Sequence, residues 1–189
     1  MICSEIPTIL TNRLKLEKIS SQHCTYKYVN WLNDEEIYKY LDTGGNVTYD
    51  DLLLYLSEFE KKPAFFWAIK LKDTNCHIGN IKVDPINTRN QIGEYGILMG
   101  DKSKWGLGYA REASEAIISF CFKELNLRKI SLGVVEDNIN AVKLYKTLGF
   151  IIEGTYLLHG EYSGKYCNVY RMSLFNRSYP EFESLHQLS

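Results

Sequence analysis

Ser103-Lys104-Trp105-Gly106-Leu107-Gly108-Tyr109-Ala110 joins an apolar, strand-like run over residues 92–99 to a long amphipathic segment. A glycine pair at such a junction frees the backbone to turn several N–H groups toward one point at a helix N-terminus. That arrangement grips phosphate without charged side chains, and it predicts a ligand carrying a pyrophosphate. Two common phosphate loops do not fit. A Walker loop ends in Gly-Lys-Ser/Thr, whereas Tyr109 and Ala110 follow Gly108. A dinucleotide fingerprint needs a third glycine where Arg111 stands, then a strand-helix-strand unit with an acidic ribose ligand. A glycine turn with no ligand is the plain alternative, because Gly-x-Gly alone is a weak signal.

Downstream, residues 138–150 read Asn-Ile-Asn-Ala-Val-Lys-Leu-Tyr-Lys-Thr-Leu-Gly-Phe and follow a β-rich run over 129–135. Asp137 or Asn138 caps a short helix there and Gly149 ends it. Asn138, Ala141, Val142 and Tyr145 recur at i, i+3, i+4 and i+7, so they share one face. Four pieces now stand in order: Gly-Glu-Tyr-Gly-Ile-Leu at 93–98, Trp-Gly-Leu-Gly-Tyr-Ala at 105–110, Asn-x-x-Ala-x-x-Leu-Tyr at 138–145, and Gly-Phe at 149–150. Together they resemble the GNAT superfamily of acyl-CoA-dependent N-acetyltransferases, and most of all its RimJ/RimL-like branch, named for N-terminal acetylation of ribosomal proteins. The resemblance covers residues 9–174, with 176–189 left as a tail or short helix. One position departs from the family, whose loop opens with Gln or Arg three residues before the first glycine; here it is Ser103.

The resemblance implies a mixed α/β fold: a twisted, mostly antiparallel sheet flanked by helices and splayed between its fourth and fifth strands, 91–99 and 129–135. It implies acetyl-CoA as cosubstrate and no metal. Backbone groups near Leu98 and Met99 would hold the pantetheine arm and supply an oxyanion donor. The amides of Lys104, Trp105, Gly106, Leu107, Gly108, Tyr109 and Ala110 would hold the pyrophosphate, and Asn138 the pantetheine. Tyr145 would protonate the leaving thiolate. Glu94, a carboxylate in an otherwise apolar strand and costly to bury unless it faces a cleft, would draw the proton from the amine or position a cationic acceptor; an exposed ion pair is its plain alternative. Trp31 and Tyr40, in an aromatic and acidic segment over 31–55, would wall the acceptor site. The acceptor is expected to be a small-molecule amine, such as an aminosugar or polyamine-like amine, with a protein N-terminus as the alternative. A module that binds acyl-CoA without turnover is a further alternative.

The rest of the chain sets bounds. Its 189 residues fit one domain over 1–189. A formal net charge of −1 offers no basic field for nucleic acid. No apolar run approaches the ~20 residues that span a bilayer. Five cysteines without close pairs favour neither a disulfide framework nor a zinc site, and a reducing cytoplasm is the expected setting. A monomer or homodimer is expected. Strands are expected at 8–16, 64–70, 77–84, 91–99, 129–135, 151–159 and 166–174, with turns at 72–75, 85–90 and 161–164. Helices are expected within 23–41, from 49 to about 61, and over 109–125. Thr48-x-x-Asp51 marks a capping box, and Pro63 stops the helix it starts.

Overall fold

The computed structural model describes residues 6–179 apart from 42, 63 and 163. Cys3, Pro63, His186 and the tail beyond 179 therefore lie outside the described residues. The expected first strand is two. β1 (Ile9–Leu10) and β2 (Leu14–Lys18) pair antiparallel, with Ile9 opposite Leu16. Thr11 causes the break. Its N–H donates to Leu14 O at 2.9 Å, and its hydroxyl accepts from Leu14 N–H at 2.9 Å. A hydroxyl that satisfies local backbone groups favours a turn over a strand.

α1 (Tyr26–Leu32), α2 (Glu35–Tyr38) and α3 (Tyr49–Lys61) follow β2. Thr25, Asp34 and Thr48 cap them, the last through the reciprocal Thr48–Asp51 box. β3 (Phe65–Leu71), β4 (His77–Asn87) and β5 (Ile92–Met99) form an antiparallel meander. The turn expected at 85–90 begins later, because β4 runs on to Asn87. Its register skips between Val83 and Ile86, which leaves Pro85, with no N–H to give, inside a bulge. α4 (Tyr109–Lys123), β6 (Lys129–Val135), α5 (Ile139–Thr147), β7 (Ile151–Tyr162) and β8 (Lys165–Phe175) complete the chain.

Among the described residues the eight strands lie in the order β1-β2-β3-β4-β5-β6-β8-β7, and only β5 and β6 pair parallel. Their pairing stops at Glu94 opposite Ser131, while β6 stays paired with β8 up to Val135 opposite Val169. The sheet therefore opens beyond Glu94, between the two strands expected to part. Lys129 N–H donates to Gln91 O, and Gly100 N–H to Ile78 O on the β4 side. Backbone polar groups alternate along a strand. Residues 95, 97 and 99 thus aim their N–H and C=O toward β6, and 94, 96 and 98 toward β4.

Apolar side chains cover both faces. Leu14, Leu16, Trp67, Ile81 and Ile117 form one core beneath α4 and α5. Ile19, Leu52, Leu56, Phe66 and Ala68 form the other, with α1 and α3. Phe-Phe-Trp-Ala-Ile in β3 is buried on both sides, which is why it reads as a continuous apolar run rather than an alternating one. Cys121 is fully buried on α4. Among the described residues no helix is long and apolar enough to cross a membrane.

Candidate active site

The loop after β5 begins with a turn built by Asp101. Its carboxylate accepts from the Ser103 N–H and, at 2.7 Å, the Ser103 hydroxyl. Lys104 N–H donates to Asp101 O and Trp105 N–H to Lys102 O, both within the turn. These two amides were expected in the phosphate cradle; closing the 3₁₀ turn consumes them. Trp105 instead donates its indole N–H to Met99 O at 2.8 Å. From Gly106 through Arg111 no backbone N–H has a protein acceptor among the described residues, and α4's bonding begins with Glu112 N–H to Gly108 O. Gly106 and Gly108 have φ of +73° and +81°, the left-handed region that glycine enters without steric cost. The result is six successive donors at the positive end of a helix.

Arg13, in the β1–β2 turn, braces this loop and was not anticipated. Its guanidinium donates to Leu107 O at 2.9 Å and Glu112 Oε2 at 2.7 Å, and lies 4.3 Å from the centre of the Tyr109 ring. Glu112 also accepts from the Thr11 hydroxyl and the Arg13 N–H. Burial works against its charge, but these donors hold the carboxyl below its ordinary range. Residues 13 and 112 are far apart in sequence, and no local pattern announces the contact.

Successive residues on a strand face opposite ways, and Glu94 and Tyr95 divide the opening accordingly. Tyr95 packs edge-on against Tyr145, with ring centroids 6.0 Å apart, under α5. Tyr145 is 7% exposed and its hydroxyl makes no hydrogen bond among the described residues, yet that oxygen is not a fully buried orphan. Burial pushes the phenol up to about 12. Glu94 lies on the other face, where both its oxygens accept from Arg171, at 2.7 Å each. The Glu94 bond, opposed by burial, raises the Arg171 pKa. Arg171 comes from β8 and crosses over Gly133 of β6, where a Cβ would stand 3.1 Å from Nη1. An open hollow of about 450 Å³, lined by Pro85, Ile86, Asn87, Ile92 and Glu94, reaches the carboxylate's side of the pair.

The other expected site residues divide. Met99 turns its N–H into the opening, while Leu98 turns its backbone to β4 and its side chain to the α1–α3 core. Asn138 caps α5, accepting from Ala141 N–H at 3.3 Å. Tyr40 donates its hydroxyl to Asp137 O at 3.2 Å and so ties the chain just after α2 to the start of α5. Trp31 does not line a surface. It is 6% exposed and packs against His77 and so close over Gly100 that any side chain there would collide with it. Large apolar area favours burial over an open wall. Asp34 and Glu36 both reach Lys102, at 2.6 Å. Among the described residues no cluster of three or more His, Cys, Asp or Glu side chains could hold a metal.

A family model described as an acetyltransferase (GNAT) domain matches residues 13–151. The uncharacterized N-acetyltransferase p20 of Bacillus licheniformis is 28% identical over 176 residues, 91% of this chain and 98% of that protein. The crystal structure of spermidine N-acetyltransferase from Vibrio cholerae, in complex with CoA and spermine, aligns with a TM-score of 0.79 and 25% identity, over 88% of this chain and 97% of that one. Ribosomal-protein-S5-alanine acetyltransferase from Vibrio fischeri shares the fold, with a TM-score of 0.78 at 22% identity over 90% and 97% of the two chains.

Proposed function

Because this chain belongs to the GNAT acetyltransferase family, whose members draw on acetyl-CoA, we propose that it acetylates the primary amine of a small molecule through the opening between β5 and β6. The observation that carries this reading is the run of N–H groups from Gly106 to Arg111, without a protein acceptor among the described residues, set at the mouth of that opening. Such donors at a helix N-terminus suit a pyrophosphate. The Vibrio cholerae enzyme supports an amine acceptor, since spermine is bound in its structure.

Acetyl-CoA supplies a thioester carbonyl, the electrophile for the amine. An unperturbed alkylamine, with a pKa near ~10.4, is protonated at neutral pH and must lose a proton before it attacks. Glu94 receives that proton, directly or through water, once Arg171 releases one carboxylate oxygen. The Met99 N–H is aimed into the opening and donates to the carbonyl oxygen as charge gathers there. As the C–S bond breaks, Tyr145 donates a hydrogen bond to the departing sulfur, and the second proton that the nitrogen sheds as the amide forms passes to the thiolate or to solvent. An ordinary thiol near ~8.5 is a stronger acid than a phenol at about 12, so Tyr145 keeps its proton at equilibrium and acts by hydrogen bonding. Thiol release from acetyl-CoA with a panel of primary amines tests the reading. Tyr145→Phe, which removes one hydrogen-bond donor to the transition state, is expected to lower kcat about ten- to a thousandfold while acetyl-CoA affinity persists. Thiol release with no amine of the panel, by protein that still binds acetyl-CoA, would overturn it in favour of a binding module.

A further inference from the structure

A carboxylate alone at the base of the opening would make a well for cations, but Glu94 is not alone. Arg171 covers both of its oxygens at 2.7 Å. The neighbouring charges are already committed. Glu153, a second acid near Arg171, accepts from Lys129 at 2.6 Å and from the Ser173 hydroxyl. The fork of Arg171 therefore has Glu94 as its counter-ion, and the site presents a neutral pair with side chains about one-third exposed. An ammonium reaching Glu94 competes with Arg171 for its oxygens. A bare polycation would leave the guanidinium facing its own positive charge. An amine that carries a carboxylate on the adjacent carbon does not meet this obstacle. Its ammonium takes Glu94, its carboxylate takes Arg171, and every charge keeps a partner. A guanidinium fork matches a carboxylate with two parallel hydrogen bonds.

We propose that Arg171 sets acceptor choice and that the small-molecule amine is a free α-amino acid. This rests on the acetyltransferase reading above and names its substrate class. Gly133 belongs to the same device, because its missing side chain leaves room for Arg171 to cross β6. A peptide N-terminus has the α-amine without the carboxylate, and spermidine has amines without any acid, so each is disfavoured by the same pair.

The test compares kcat/KM for glycine, alanine, methionine and phenylalanine with that for their carboxamides, and with spermidine and glucosamine. The amino acids are expected to exceed both their carboxamides and spermidine by at least about tenfold, as a charge-assisted hydrogen bond allows. In Arg171→Gln the ratio of amino acid to carboxamide is expected to fall about ten- to a hundredfold. Arg171→Lys, which keeps the charge without the fork, should fall between. Calorimetric binding of acetyl-CoA shows that the variants are folded. If carboxamides match amino acids, or spermidine is the best acceptor, the proposal is overturned while the acetyltransferase reading stands. Equal loss on every acceptor in Arg171→Gln would make the pair a structural staple across β6 and overturn it likewise. Turnover of no amine would instead strike the acetyltransferase reading itself.

Discussion

Gly108 stands where α4 begins, with φ of +81° and Arg13 Nη2 3.4 Å from where a Cβ would sit. A β-branched residue there is strained whatever the space, by roughly 1–2 kcal/mol. Gly108→Val is expected to weaken acetyl-CoA binding at least about tenfold in a calorimetric titration; full affinity would contradict the loop assignment. Tyr145 makes a prediction of a different kind. A phenol held at about 12 stays protonated below that pH, so the donor is intact throughout the neutral and mildly alkaline range. The kcat–pH profile should show no fall between pH ~7 and ~10 from loss of its proton. Gly106, Gly108 and Tyr145 were legible as residues because each sits in a short local pattern. Arg171 was not, although one signal existed. Glu94 is a costly charge in an apolar strand, and the same cost argument applies to an arginine within the strand expected at 166–174. What sequence could not supply was that β8 lies beside β6, one strand away from β5.

Among the elements, those defined by their own ends were the most readable. Asp34, Thr48 and Asn138 all cap helices as their residue types predict, because a cap is satisfied within three residues of chain. The element that failed, the single strand at 8–16, failed for a reason of the same range: the Thr11 hydroxyl competes locally. The use of that turn is long-range, since it delivers Arg13 to Glu112. β2 carries a titrating element of its own. Burial opposes the charge on Glu17, but Lys15, Lys70 and His23 hold its carboxyl at about 2, against an ordinary 4.5. A depressed carboxyl contributes stability that is present above its unfolded pKa and lost as pH falls through the folded one. The native protein should therefore lose stability between pH ~4.5 and ~2, and Glu17→Gln should flatten that slope in denaturant titrations run across it. An unchanged slope would show that Glu17 is not a source of the acid sensitivity.

At the scale of the molecule, two cores on opposite faces hold one sheet, and β3 belongs to both. Trp67 is completely buried at its centre and donates its indole N–H to Pro7 O at 2.8 Å. Trp67→Ala is expected to cost about 3–5 kcal/mol, measured as a shift in the denaturant midpoint with little change in slope. The opening itself was visible in the sequence only through the family resemblance, because a strand's residues do not record where its neighbour leaves it. The pairing pattern does record it, and Tyr145, packed on the Tyr95 ring, lies on the face of the sheet opposite Glu94. A thioester lying in the gap would be approached by the amine from one side while the nucleotide end rests on the other. Neither reactant then blocks the other's route, and no side chain has to carry the acetyl group between them. Initial rates measured against both reactants should give double-reciprocal lines that intersect rather than run parallel.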